Sequence, residues 1–478
     1  MKQSLLLGFI SLASIATPSL GQLPDSPTGR GGNAVILVFK SGAGAVTADF
    51  MQEKFSEEFL AETSLDQRLQ WFKDAVERIG PLQLRGVEKT GPFAATIMGQ
   101  SSLTNDKIES RYRVADNAPH RIVELTIDEG SSQPQRQLTP SEMISEAESY
   151  LDGLSADQFS GTVLVAKGKE VLFEKATGLA SRRYSVPNNV DTLFNLGSIN
   201  KIFTKIAIGQ LAAQGKLSFD DTVAQHLPDY PNQEVAKKIT IQQVVTHSAG
   251  LGDIFTDEFA GTAKESLQTP QDYFVLFADA PLLFEPGTSH RYSNGGYMVL
   301  GAIIEAASGQ TYDEYVQEHI FDPAGMASTG SFPMNDPVPN LAKGYTRQVP
   351  GGDEGDDHHG HDSDPTAPWR ENSFMIPFTG TPAGGGYSNA GDLLRFRHAL
   401  TNNDLLDARY TAWVVTNNLP AEVPPEGGFG IGIAGGGPGV NAELEIGDEF
   451  TVIVLSNLDP PSASNVGRHL RDLIESLD

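Results

Sequence analysis

Cysteine is absent from all 478 residues, which removes disulfides, thiol nucleophiles, thiolate metal ligands and a lipid-bearing cysteine together. Any nucleophile must be Ser, Thr, Lys or a carboxylate. Basic residues are scarce, 34 Lys and Arg against 61 Asp and Glu, and the net charge of -27 repels phosphate backbones and anionic lipid headgroups. Nucleic acid is thereby set aside as a partner. Long apolar runs are missing as well: no segment beyond the first residues approaches the roughly 20 apolar residues of a membrane span.

The one apolar run stands at the start. Met1-Lys2-Gln3 and the stretch Ser4 to Ala16 combine a short basic beginning with an apolar segment too brief to cross hydrocarbon as a helix. Ser19 and Gly21 supply small side chains before a cut at Gln22, so residues 1–21 read as a secretory signal peptide. A periplasmic or secreted mature protein is the expectation.

With 39% hydrophobic and 20% charged residues, the chain has enough apolar material for packed domains, and its length suits two. After a loose Pro/Gly stretch, Ser26 to Gly32, residues 33–128 read as a small α+β domain. Helical spacing appears around Phe50 and Met51, and again where Leu65, Leu69, Phe72 and Val76 share a face. Alternation then predicts strands at Leu82–Val87, Ala94–Met98, Lys107–Val114 and Arg121–Ile127. This arrangement somewhat resembles the ketosteroid-isomerase-like, cone-shaped domains. No catalytic constellation is visible in it.

Residues 129–138 have linker composition, and Thr139-Pro140-Ser141-Glu142 then spells a capping box that opens a helix. Residues 139–478 read as one large unit. Strands are predicted near its beginning, Gly161–Ala166 and Val171–Phe173, and near its end, Glu443–Ile446 and Phe450–Leu455. A closing helix follows at Val466–Leu477, and the middle is mostly helical. The fold class expected is α/β in the broad sense (α+β): an antiparallel sheet flanked by helices with an all-helical lobe inserted.

Chemistry concentrates in two stretches. Gly197-Ser198-Ile199-Asn200-Lys201 enters an amphipathic helix, and a spacing of three returns Lys201 to the face of Ser198. Apolar neighbours around Lys201 favour the neutral amine, which can accept the serine proton. The helix start favours developing negative charge at Ser198. Alone, such a pair also fits an N-cap serine followed by a surface lysine. The second stretch is Tyr292-Ser293-Asn294, between Phe284-Glu285-Pro286-Gly287 and an apolar helix from Tyr297 to Ala307. A tyrosine there can pass a proton between serine and leaving group, and the Asn amide can hold a substrate carbonyl or the lysine. Tyr230-Pro231-Asn232 and Tyr387-Ser388-Asn389 are decoys of similar spelling. Context selects Tyr292.

In these stretches the chain resembles the serine β-lactamase and penicillin-binding-protein family, closest to its class C and esterase-like branch. Thr246-His247-Ser248-Ala249-Gly250-Leu251 resembles the turn before the family's helical lobe, and Pro382-Ala383-Gly384-Gly385-Gly386 its later Gly-rich turn. The resemblance implies that Ser198 forms an acyl-enzyme, that Lys201 and Tyr292 move its protons, and that Asn294 steadies the substrate. It further implies an oxyanion hole from the N–H groups of Ser198 and Gly436, on a strand that includes Gly435. It implies no cofactor and no metal, and substrates that are small esters, amides or D-amino-acid peptides, with peptidoglycan fragments as the natural relatives of these.

The sequence departs from the family in one place. Where the family carries Lys or His two residues before the strand glycine, this chain has Ile433-Ala434-Gly435, and Arg409 is the only basic residue between His398 and Arg468. An apolar Ile433 cannot anchor a substrate carboxylate, which weakens the expectation of β-lactam turnover more than that of ester or amide hydrolysis. The same absence supports an alternative, a catalytically silent protein that binds cell-wall peptide. Two other features carry less. Gly430-Ile431-Gly432-Ile433-Ala434-Gly435 spells a dinucleotide fingerprint with no helix behind it. His358, His359 and His361 lie in a Gly/Asp-rich loop that reads as surface rather than as a metal centre, and His247 reads as structural.

Overall fold

A computed structural model of the chain describes residues 26–41, 46–56, 59–60, 65–91, 93–101, 107–130, 137–348, 367–422 and 430–477. The proposed leader and the three-histidine loop lie outside the described residues. These fall into two compact units, one within Met1–Arg136 and one within Gln137–Asp478. Among the described residues no helix is long and apolar enough to cross a membrane.

The first unit packs helices α1 (Pro27–Ser41), α2 (Ala48–Lys54) and α3 (Leu65–Ile79) on a four-stranded antiparallel sheet. Its strands, β1 (Leu82–Lys89), β2 (Ala94–Ser101), β3 (Lys107–Val114) and β4 (Ile122–Gly130), pair in sequence order. Alternation on β3 turns Ile108, Tyr112 and Val114 into the core and leaves Lys107, Arg111 and Arg113 exposed. The stretch expected to be loose, Ser26 to Gly32, is instead the beginning of α1. Ser26 Oγ accepts the Gly29 N–H, Pro27 suits a first helical turn, and a Cβ on Gly31 would meet Val114 Cγ1 at 2.6 Å. Glycine there serves close packing rather than a turn.

The second unit opens with α4 (Pro140–Gly153), whose Thr139–Glu142 capping box forms as the spacing predicts. Its five-stranded sheet contains β5 (Gly161–Lys167), β6 (Glu170–Thr177), β7 (Ile431–Gly437), β8 (Val440–Ile446) and β9 (Phe450–Ser456). They run β7-β8-β9-β5-β6, every pair antiparallel. The two ends of the unit thus meet at the sheet's centre, Val163 opposite Val454.

Both faces of this sheet are buried, which is why its central strands are nearly continuous apolar runs. Val163, Val165, Val452 and Val454 face α4 and the closing helix α10 (Ser462–Glu475). Leu164, Ala166, Leu444, Ile453 and Leu455 face the larger core, shared with the helical lobe. That lobe contributes α6 (Ile241–Val245) and α7 (Asn294–Ser308), and α8 (Ala390–Thr401) and α9 (Ala408–Thr416) follow it in the chain.

Between sheet and lobe runs α5 (Lys201–Ala213), entered through a tight turn of 3-10 helix over Gly197–Asn200. Expected to be amphipathic, α5 is instead buried almost all round, from Lys201 through Gly209. A helix clad in neighbours on every side needs apolar residues on every side. Phe203 meets Phe321 and Phe396 edge-on, each at 5.0 Å, and Gly209 lets Trp413 approach. The helix that begins beside Ser198 is therefore held from all directions.

Candidate active site

Ser198 stands in the second position of the turn that leads into α5 and is half-buried, open enough to be reached. Gly197 before it adopts φ +50°, a conformation that glycine accepts without steric cost. Its partners are the first residue of α5 and a tyrosine from the stretch before α7. Tyr292 Oη lies 2.6 Å from Ser198 Oγ, and Lys201 Nζ lies 3.0 Å from it on the other side. Lys201 Nζ also donates to Asn294 Oδ1 at 2.7 Å and to the carbonyl of Ala383.

The electrostatics follow from burial. Lys201 is only 7% exposed, and desolvation lowers its pKa to about 7, against which the nearby Asp253 carboxylate pulls upward. The rings of Tyr292 and Tyr297 lie 4.7 and 5.3 Å from its Nζ and shelter the amine from solvent. Burial moves Tyr292 the other way, up to about 12, with the Ser198 hydrogen bond opposing and Asp253 assisting. Near neutral pH the phenol keeps its proton while the amine is free to lose one.

Tyr292 is aimed by the residues around it. His247, in a left-handed conformation at φ 56°, stacks on the phenol ring at 4.6 Å and on Tyr297 at 5.2 Å. Its carbonyl accepts the Arg291 N–H and its Nδ1 the Ser293 N–H, so it grips the chain on both sides of Tyr292. Desolvation and the neighbouring Lys201 push its pKa down to about 3, which keeps the imidazole neutral and able to accept. Ser293 caps α7 by accepting the Gly296 N–H and donates to the Gly252 carbonyl.

Asp253 was not singled out in the sequence. It sits 41 residues before Asn294, yet its carboxylate accepts the Asn294 N–H at 2.7 Å and the Asn294 side-chain amide at 3.1 and 3.2 Å. The Gly-rich turn over 381–387 supplies the Ala383 carbonyl to Lys201, braced by Thr204 Oγ1, which donates to the Pro382 carbonyl at 2.7 Å. The only written signals of these contacts are Gly252-Asp253, just past the Thr-His-Ser-Ala-Gly-Leu turn, and the glycine run itself.

Edge strand β7 closes the site. A Cβ on Gly435 would lie 2.0 Å from the Leu196 carbonyl oxygen and 2.9 Å from the Ser198 nitrogen, so the strand backbone rests directly on the nucleophile's turn. A Cβ on Gly197 would lie 3.0 Å from the Gly436 nitrogen. Ile433 is partly buried against the large core, and with a period of two it shares the face of Gly435.

Thus Ser198, Lys201, Tyr292 and Asn294 meet, with Gly435 and Gly436 beside the serine backbone. Of the decoys, half-buried Tyr387 lies in the Gly-rich turn beside the site but pairs its backbone with Asn195 and hydrogen-bonds its phenol to that residue, and Tyr230 packs edge-on against Phe274 at 5.2 Å. Among the described residues no group of three or more His, Asp or Glu is placed to hold a metal ion.

Residues 147–475 match the family model described as Beta-lactamase. A penicillin-binding protein of Bacillus subtilis (strain 168) is 30% identical over 329 residues, which cover 63% of this chain and 68% of that one. The esterase EstB of Burkholderia gladioli is 34% identical over 180 residues, 35% of this chain and 45% of that one. Among solved structures, a penicillin-binding protein from Bacillus halodurans superposes with a TM-score of 0.57 at 28% identity, over 70% of this chain and 99% of its own.

Proposed function

The chain belongs to the β-lactamase family, whose members are serine hydrolases with carboxypeptidase, esterase and amidase activities, and from that premise we propose an exported acyl-transfer enzyme acting on a small ester, amide or D-amino-acid peptide. The observation that carries this reading is a serine oxygen held between an amine at 3.0 Å and a phenol at 2.6 Å.

Because Lys201 titrates near 7, its neutral amine takes the Ser198 proton as the oxygen attacks the substrate carbonyl. The carbonyl oxygen gathers charge, and the N–H groups of Ser198 and Gly436 receive it. Tyr292, still protonated, donates to the leaving alcohol or amine as the carbonyl–heteroatom bond breaks, and the proton that Lys201 took from Ser198 then passes to the tyrosinate, which restores both groups. Water then attacks the acyl-serine, with the same groups run in reverse. Asn294 steadies the lysine through its Oδ1. The apolar Ile433 beside this centre favours acyl groups without a carboxylate.

A fluorophosphonate probe tests the reading. Stoichiometric labelling that disappears in Ser198→Ala supports it, and labelling that persists in that variant rejects it. Recovery of a secreted protein beginning at Gln22 would support export. A second reading rests on Ile433: without a basic residue there, the fold would serve as a silent binder of cell-wall peptide. Retained affinity for peptidoglycan fragments with no acylation by esters or β-lactams would favour it.

A further inference from the structure

We propose that Asp253 is a positioning residue for the acylation chemistry: its carboxylate orients the Asn294 amide so that an acceptor, not a donor, faces Lys201. This rests on reading Lys201 as the base. An amide side chain has two nearly isosteric ends, one accepting and one donating. Nothing in Asn294 itself decides which end meets the lysine. A carboxylate can only accept, so two short contacts from Asp253 oxygens to Asn294 Nδ2, at 3.1 and 3.2 Å, oblige Oδ1 to point the other way, 2.7 Å from Lys201 Nζ. A flipped amide would set an NH2 group against the amine and a carbonyl against a carboxylate.

The placement of Asp253 is itself over-determined. It accepts from Asn294 N at 2.7 Å, the first residue of the 15-residue α7, and from Phe255 N at 3.1 Å. It therefore ties the loop after the Thr-His-Ser-Ala-Gly-Leu turn to the start of the lobe helix, the segment that also presents Tyr292. Its charge reaches Lys201 through the amide and sustains the amine's basicity against burial. Also around Lys201 are the Ser198 hydroxyl, the rings of Tyr292 and Tyr297, the Ala383 carbonyl and neutral His247, with Lys205 on the next turn of α5. Asp253 is the carboxylate acting on it.

The test is kcat/KM for p-nitrophenyl acetate against pH in the full chain, for wild type, Asp253→Asn and Asp253→Glu, with thermal unfolding as the check on folding. The wild-type profile should rise through neutral pH. A wild-type profile without that limb would instead defeat Lys201 as the base, and this proposal with it. In Asp253→Asn the plateau should fall by about tenfold or more, and the ascending limb should move acidward by roughly one pH unit, since an opposite charge has been removed. Asp253→Glu keeps the charge and should hold the limb at the wild-type position with a reduced plateau. A lower plateau in Asp253→Asn with its limb unmoved marks a merely structural residue and overturns the proposal, as does an unchanged profile. Should Asp253→Asn fail to fold, Asp253→Glu decides alone: a wild-type plateau or a displaced limb overturns it.

Discussion

Gly435 rests against Leu196 so closely that a Cβ on the glycine would stand 2.0 Å from the leucine's carbonyl oxygen. No side-chain rotation can relieve that clash, because the Cβ is fixed by its own backbone and meets a backbone oxygen. Gly435→Ala must therefore push edge strand β7 away from the turn that carries Ser198. A displacement near 1 Å suffices to misplace an oxyanion donor, and losing one donor costs about 100- to 1000-fold in kcat. We expect a loss of that order in Gly435→Ala with the protein still folded, since β7 keeps its pairing with β8. Steady-state kinetics beside circular dichroism checks it, and a wild-type kcat would remove β7 from the chemistry.

Lys201 makes two pH-dependent predictions of one origin. Its pKa of about 7 gives a kcat/KM that climbs as pH rises through that value, because the reactive form is the neutral amine. For stability, the folded-state pKa lies below the ordinary 10.5, so the unfolded chain binds the extra proton between about 7 and 10.5. Stability from this group therefore grows as pH rises across that window, and the burden of burying the cation is complete below it. Lys201→Met should abolish turnover and, relative to wild type, be favoured most near pH 6 and least near pH 10, by an amount of order a few kcal/mol. Denaturant unfolding at the two pH values measures the difference. Lys205, also buried and lowered to about 8, cancels in that comparison because both proteins carry it.

Tyr292→Phe separates proton transfer from packing. The ring would keep its stacking on His247 at 4.6 Å, so folding should be nearly unchanged. The variant loses the hydroxyl 2.6 Å from Ser198, and with a phenol pKa pushed up to about 12 that hydroxyl acts as a proton donor. Removal of a positioned general acid costs about 100- to 10,000-fold. The deficit should shrink as the leaving group becomes more acidic: large for an alkyl ester or an anilide, small for a p-nitrophenyl ester. Equal losses across such a series would dismiss Tyr292 as the acid.

Much of this arrangement could be read from local spacing, and what could not is long-range. Ser198 and Lys201 lie on one face because three residues make nearly one helical turn. Capping of α4 was legible for the same reason, Thr139 and Glu142 being three apart. Asp253 and the Ala383 carbonyl were hidden, since they reach Asn294 and Lys201 across 41 and 182 residues through tertiary packing that no periodicity encodes. Helix α1 is hidden from a local reading because Pro27, Gly29, Gly31 and Gly32 have turn composition. The close approach of Tyr112 and Val114 to Gly31, which explains glycine there, is a property of the folded sheet. Similarly, α5 departs from the expected amphipathic helix because neighbours pack on every side of it, so that even Lys201 and Lys205 are buried and tied to carbonyl oxygens.

The sharpest prediction concerns Ile433. It stands two residues before Gly435 on β7, opposite Leu444, and packs partly into the large core. A strand rises about 3.3 Å per residue, so its side chain projects roughly 7 Å along the strand from the glycine that touches Ser198. A cation there is within reach of a carboxylate on the acyl side of a bound substrate, and such a pairing contributes about 1.5–3 kcal/mol, or roughly 10- to 150-fold. Ile433→Lys and Ile433→His should therefore raise kcat/KM for carboxylate-bearing esters relative to their methyl-capped counterparts. The His variant should do so mainly below its own pKa. Stability should fall slightly, because an apolar contact with the core is exchanged for a charge that must point outward. Competition assays with paired charged and neutral esters read the ratio directly. A ratio unmoved in both variants would mean that the acyl carboxylate does not pass this strand, and that selectivity for neutral acyl groups lies with residues elsewhere around Ser198.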